Sequence, residues 1–212
     1  MTQSVPRFDA DFVRELAELF RWRRDVRRFR SDPVGDDRID ELVALATLAP
    51  SVGHSQPWRF VSVESNARRS AVIENFERCN ADALASYEGE TAALYARLKL
   101  AGLREAPVQL AVFCDIETEI GHGLGRATMP ETVCYSVVAA IQNLALAARA
   151  RGLGVGWVSI LDPGAIAEAL DVPRAWTFIA YLCVGFPREE HLIPELERAG
   201  WQRREAHPVL RR

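Results

Sequence analysis

Four arginines surround one carboxylate within seven residues, Arg23-Arg24-Asp25-Val26-Arg27-Arg28-Phe29. Guanidinium groups crowded at the junction of two elements suit a phosphate, because each offers a planar fork of donors to its oxygens. Asp25 is the odd member. Phosphate binding has no use for an anion at its centre, so the carboxylate points to another part of the same ligand. The competing reading is a solvated charged turn, the usual fate of a charge run.

A second group favours the ligand reading. Ser51-Val52-Gly53-His54-Ser55-Gln56-Pro57 is a loop by composition. Its hydroxyls, amide and backbone N–H groups could hydrogen-bond a heterocycle or a ribityl chain. Gly121-His122-Gly123-Leu124-Gly125-Arg126 suggests a dinucleotide loop, but GxGxxG needs glycine where Arg126 stands, and no βαβ frame precedes it. A flexible connection is the better reading. His54, His122, His191 and His207 share no metal-ligand spacing, and HExxH is absent, which argues against a catalytic metal. Ser159 lies on an apolar run without the GxSxG of a serine hydrolase, so on residue type it is equally a hydroxyl bonded to a neighbour.

These groups need elements to place them. Phe12, Leu16, Leu19 and Phe20 recur at helical spacing behind Asp9 and Asp11, and that helix ends near the arginine cluster. Asp36 and Asp37 open a second helix, stopped by Pro50. Trp58 to Glu64 reads as a strand. A long helical region runs from about Ala67 to Leu103, broken at Gly89 and closed by Gly102 and Pro107. Val108 to Phe113 is a second strand. Glu117 to Met129 is a glycine-rich connection, after which Pro130 and Glu131 start an apolar helix ending at Gly152, a plausible C′ glycine. Gly154 to Leu161 is a third strand. Asp162-Pro163 caps a short helix, and Trp176 to Val184 is a fourth strand. From Pro187 a tail carries three prolines, Trp201 and Arg203-Arg204.

The chain has 212 residues, 49% hydrophobic and 26% charged, values of one globular domain with its own core. A net charge of −3 argues against nucleic-acid binding. Cys79, Cys114, Cys134 and Cys183 lie far apart without CxxC spacing and read as reduced thiols of a cytoplasmic protein. The N-terminus has no apolar signal core. The apolar run Val133–Ala148, interrupted by Ser136, Gln142 and Asn143, is shorter than the ~20 residues a membrane span needs, so a buried helix is expected and no membrane contact.

Four blocks together resemble the nitroreductase-like flavoprotein superfamily. They are Arg23 to Phe29, Ala49-Pro50-Ser51-Val52-Gly53-His54-Ser55-Gln56-Pro57-Trp58-Arg59-Phe60, Arg126-Ala127-Thr128-Met129-Pro130-Glu131-Thr132, and the run Gly152 to Pro163. The resemblance covers nearly the whole chain. Asp25, where general nitroreductases usually carry serine, and Trp157-Val158-Ser159-Ile160-Leu161-Asp162-Pro163 are similar to the branch that destroys its flavin to make the lower ligand of vitamin B12.

The resemblance implies an α+β fold over residues 1–212, with a central mainly antiparallel sheet flanked by helices. It implies an intertwined homodimer with two flavin sites at its interface and a C-terminal arm from about 187. Reduced FMN would be the substrate and dioxygen the co-substrate, yielding dimethylbenzimidazole and erythrose 4-phosphate. Arg23 and Arg24 would hold the phosphate, with Arg203 or Arg204 as tail partners. Val26 would belong to the same binding segment. Arg27 would face the N1–C2 edge of the ring, and Ser51 and Ser55 would bond the ring or ribityl chain. Asp25 would move protons, Ser159 would sit near N5, and Leu100 would belong to a water-excluding lid. A separate flavin reductase would supply the substrate. Competing readings are an NAD(P)H-dependent FMN nitroreductase and a flavin-binding protein without catalysis.

Overall fold

The structure, a computed structural model, describes residues 5–212. Short apolar runs, buried on both faces in the two central strands, build a four-stranded sheet. The strands are β1 (Trp58–Ser62), β2 (Val108–Asp115), β3 (Gly154–Val158) and β4 (Trp176–Gly185), in the order β1-β2-β4-β3. Every neighbouring pair is antiparallel, with Leu110 opposite Leu182 and Ala111 opposite Tyr181. Because side chains alternate between faces, each strand feeds two cores. Leu110, Val112, Ala180 and Leu182 pack under α2 (Asp36–Ala46) and α5 (Thr132–Ala150). Ala111, Phe113, Tyr181 and Cys183 pack with Val72 of α3 (Asn66–Ala85) and with Ile166 and Leu170 of α6 (Pro163–Leu170). The sheet is thus the middle layer of three.

α5 has the length and hydropathy of a membrane-crossing helix. Here it lies across all four strands and against α2, burying Val137, Ala140, Ile141, Leu144 and Ala148. Its place is the protein core, as its sequence suggests. Gly152 follows it with φ +72, the left-handed stop expected there. Asp162 caps α6 as its sequence promises, its Oδ1 accepting from the N–H groups of Gly164 and Ala165 at 2.9 and 3.1 Å.

Three expectations differ in detail. β1 ends at Ser62 rather than Glu64. β3 ends at Val158 rather than Leu161, leaving Ser159 just beyond the ladder and exposed. The helical region expected to reach Leu103 stops sooner, with α3 ending at Ala85 and α4 covering Gly89–Tyr95. Residues 98–106 have helix-forming composition but are irregular, with two of their carbonyls taken by side chains, one of them distant in sequence. Arg27 Nη1 donates to the Lys99 carbonyl at 2.9 Å, and Gln109 Nε2 donates to the Leu103 carbonyl at 2.7 Å. Tertiary contacts override propensity here.

The first helix, α1 (Ala10–Trp22), is capped by Asp9, whose carboxylate accepts from the Phe12 N–H at 2.8 Å. None of its residues is buried, and Phe12, Val13, Leu16 and Phe20 stand exposed. After β4 the chain folds back over residues 24–28, forms α7 (Glu195–Arg198), and is exposed from Gln202 onward.

Candidate active site

The arginine-rich segment runs alongside the edge strand β3. The Val26 N–H donates to the Val155 carbonyl at 3.0 Å, and the Val26 side chain packs on Gly154. Gly156 lets the two backbones meet: a Cβ there would lie 2.0 Å from the Val26 carbonyl oxygen. Val26 therefore anchors the segment to the sheet.

That anchoring fixes Asp25. Its Oδ1 accepts from the Trp157 N–H at 2.7 Å, and its Oδ2 accepts from Arg27 Nε at 2.9 Å. Its side chain keeps 37% of its surface open, whereas Arg27 keeps 12%. Arg27 is thus a partly buried bracket between Asp25 and the Lys99 carbonyl, with Nε and Nη1 both engaged. Leu100 follows Lys99 in that irregular segment, half-buried. A second ion pair, Lys99 Nζ to Glu105 Oε1 at 2.6 Å, closes the segment on itself.

The other arginines divide. Arg24 donates through Nε and Nη2 to the Leu192 carbonyl and through Nη1 to the Arg23 carbonyl. Its pKa is lowered by burial first, then by the charges of Arg23 and Arg204. The Arg23 side chain makes no ion pair or hydrogen bond among the described residues and lines a cleft with Trp22, Arg24, Arg149 and His191. Arg28 turns to the returning tail, where it pairs with Glu189 and Glu195, and its pKa is raised chiefly by the Glu195 hydrogen bond. Arg203 and Arg204 are exposed.

The donor loop enters the sheet at the opposite edge. Ser51 Oγ accepts from the Gln56 N–H at 3.1 Å, and Ser136 Oγ on α5 accepts from the Val52 N–H at 3.1 Å. Gly53, His54 and Gln56 all have positive φ. Ser55 is 3% exposed, and its Oγ is buried without a partner. The glycine-rich connection supports this loop: a Cβ on Gly121 would lie 2.2 Å from the Gly53 oxygen. Spacing excluded a dinucleotide loop there, but the packing role emerges only in three dimensions.

Strand order thus divides the expected site residues. Arg23, Arg24, Asp25, Val26, Arg27, Leu100 and Ser159 gather at the β3 edge, and Ser51 and Ser55 precede β1. Three strand spacings, about 14 Å, separate the two edges within one protomer. Sequence reading missed the Trp157 N–H and the Lys99 carbonyl as partners, because backbone groups carry no residue-type signal. Among the described residues no group of His, Cys, Asp and Glu could hold a metal ion.

Residues 20–186 match the model of the nitroreductase family. The chain is 64% identical over 207 residues to 5,6-dimethylbenzimidazole synthase of Rhodospirillum rubrum, covering 98% of each chain. It is 51% identical over 187 residues to the synthase of the same name from Rhodobacter capsulatus, covering 88% of this chain and 90% of that one. Among solved structures, iodotyrosine deiodinase bound to FMN and 3-iodo-L-tyrosine superposes with a TM-score of 0.72 at 23% identity, covering 93% of this chain and 97% of its own. A nitroreductase-like protein from Bacillus cereus gives 0.61 at 20% identity, covering 97% and 95%.

Proposed function

The chain belongs to the nitroreductase family, and from that membership and its synthase relatives we propose that it makes 5,6-dimethylbenzimidazole from reduced FMN and dioxygen, releasing erythrose 4-phosphate. The observation that carries the reading is Asp25, a carboxylate held between the Trp157 N–H and Arg27 at the edge of a cationic segment. A hydride-passing flavoenzyme needs no base beside the ribityl chain. Fragmenting that chain requires proton removal and delivery, which a positioned carboxylate performs.

The residues present fit the ligand in two respects. Arg23 stands beside Arg24 without a partner of its own among the described residues, as a phosphate clamp requires. Ser55 keeps a buried hydroxyl without a partner, a cost that a bound ligand would relieve. Reduced FMN, when bound, supplies the ring and the sugar-alcohol chain that dioxygen oxidises and splits.

The protein's own groups do the rest. Arg23 and Arg24 bind the phosphate, with Arg203 or Arg204 closing from the tail. Arg27 orients Asp25 and, through its remaining Nη2, can meet the ring edge. Asp25 moves the protons. Leu100 and its segment exclude water, which matters for any oxygen-reactive intermediate. Ser159, one residue past β3, borders the oxygen-reacting face. Ser51 and Ser55 reach the ligand from a second copy, because one protomer sets them at the far sheet edge. The exposed apolar faces of α1 and of Tyr135 and Val138 on α5 fit such a homodimer. A separate flavin reductase supplies reduced FMN, and the protein works in the cytoplasm.

The test is incubation of the protein with excess reduced FMN in air, followed by product analysis. Dimethylbenzimidazole together with loss of FMN is the expected result. Intact flavin with steady NAD(P)H consumption on a nitro acceptor would instead identify a nitroreductase. Intact flavin without turnover would leave a binding protein.

A further inference from the structure

Ser159 is exposed, yet the stretch that carries it is fastened at both ends. Before it, Val158 lies opposite Tyr181 in the sheet ladder, and the Trp157 N–H donates to Asp25. After it, Leu161 is buried in the same cluster as Val72 and Ile166. Residues 159–161 then meet Asp162, the N-cap of α6. Every polar group of Asp162 is engaged. Its Oδ1 caps the helix, its Oδ2 stands 3.7 Å from Arg78 Nη2, and its carbonyl accepts from the Ile166 N–H at 3.1 Å. Its N–H donates to Asn75 Oδ1 at 2.8 Å.

Asn75 is out of place by composition. The buried residues of α3 are Val72 and Asn75, and Asn75 is 7% exposed. Asparagine is a poor helix former, and a buried amide costs free energy unless it is hydrogen-bonded. An apolar side chain would pack this helix face better. What the amide offers instead is an acceptor for the Asp162 N–H, and its oxygen also accepts from Cys79 Sγ at 3.6 Å.

We propose that Asn75 is a positioning residue that fixes where Ser159 stands beside the flavin ring. This rests on the FMN reading given above. Asn75 touches no ligand; it acts through the main chain between Asp162 and Ser159. β3 holds one end of that short stretch and α3 the other, so Ser159 keeps its place relative to Asp25.

The test is a single turnover in air, with protein in excess over reduced FMN and the bound fraction set beforehand by anaerobic titration. Dimethylbenzimidazole, recovered FMN and hydrogen peroxide are measured together. Reduced FMN that escapes fragmentation passes two electrons and two protons to dioxygen, leaving FMN and hydrogen peroxide. Asn75→Ala should bind reduced FMN like the wild type yet lower the dimethylbenzimidazole yield on the order of tenfold or more, the cost of a misplaced group, with FMN and peroxide rising to match. Asn75→Asp, which keeps the acceptor oxygen, should retain most of the yield. Val72→Ala, a core truncation one turn earlier on the same helix face, should lower the melting temperature but leave the product split unchanged. Adding Asn75→Ala to Ser159→Ala should cost nothing further, because the first acts through the second. A wild-type split in Asn75→Ala, an equal shift in Val72→Ala, or additive losses in the double variant would each overturn the positioning role. Wild-type protein that yields no dimethylbenzimidazole would overturn the FMN reading, and this role with it.

Discussion

Asp25 Oδ1 accepts a hydrogen bond from the backbone N–H of Trp157 at 2.7 Å, across 132 residues of chain. The donor belongs to a strand within the sheet ladder, so the carboxylate inherits the rigidity of the sheet. Proton transfer depends on geometry before it depends on acidity. The second oxygen is held by Arg27, which also grips the Lys99 carbonyl. Asp25 and the irregular segment around Lys99 are thus joined through one side chain.

Removing that joint should affect both. Arg27→Ala is expected to lower dimethylbenzimidazole formation on the order of 10²-fold, the cost of a misplaced reacting group. Amide exchange around Lys99 should rise at the same time. Single-turnover product yield and hydrogen exchange measure the two effects. Full yield with unchanged exchange would show that Arg27 joins nothing of consequence.

The loop carrying Ser51 and Ser55 depends on Gly121. With φ +80 and a Cβ position 2.2 Å from the Gly53 oxygen, Gly121→Ala adds backbone strain and a clash with main chain. Strain of this type costs about 1–3 kcal/mol before the clash is counted. Gly89→Ala is the control, with φ +57 but nothing within 4 Å. Thermal melts should show Gly121→Ala falling clearly further than Gly89→Ala. Equal losses would mean that the two loops do not brace each other.

Acid should release the returning tail. The Glu189 pKa is lowered chiefly by the neighbouring His191, whose Nε2 stands 3.4 Å from its Oε2, with help from Arg28 and Arg198, and the Glu190 pKa chiefly by the Arg149 hydrogen bond. A carboxyl whose folded pKa lies below its ordinary value of 4.5 stabilises the fold fully above that value, and the effect is lost as pH falls through the folded pKa. Limited proteolysis between residues 187 and 201 should therefore accelerate below about pH 4.5, before the sheet core opens. Cleavage independent of pH down to global unfolding would contradict this.

Much of the fold can be read from the chain because its signals are local. Asp9 and Asp162 cap helices through their own side chains, and Gly152 stops α5 through its own φ. Near-continuous apolar runs identify β2 and β4 as central strands buried on both faces. The irregular stretch 98–106 is not readable this way, since the bond from distant Arg27 to the Lys99 carbonyl leaves no mark in the local sequence. The site is half readable. Residue types mark Asp25 and its arginines, but nothing in the types separates Arg28, which faces Glu189 and Glu195, from Arg23, which faces a cleft. The division of the site between two sheet edges follows from strand order, which hydrophobic pattern alone does not determine.

The central claim is that Asp25 carries the protons of flavin fragmentation, and Asp25→Asn tests it most directly. Asparagine keeps the shape and can still accept from the Trp157 N–H, so reduced FMN should bind with near wild-type affinity while aerobic incubation yields no dimethylbenzimidazole. Dimethylbenzimidazole at the wild-type rate from that variant would contradict the account.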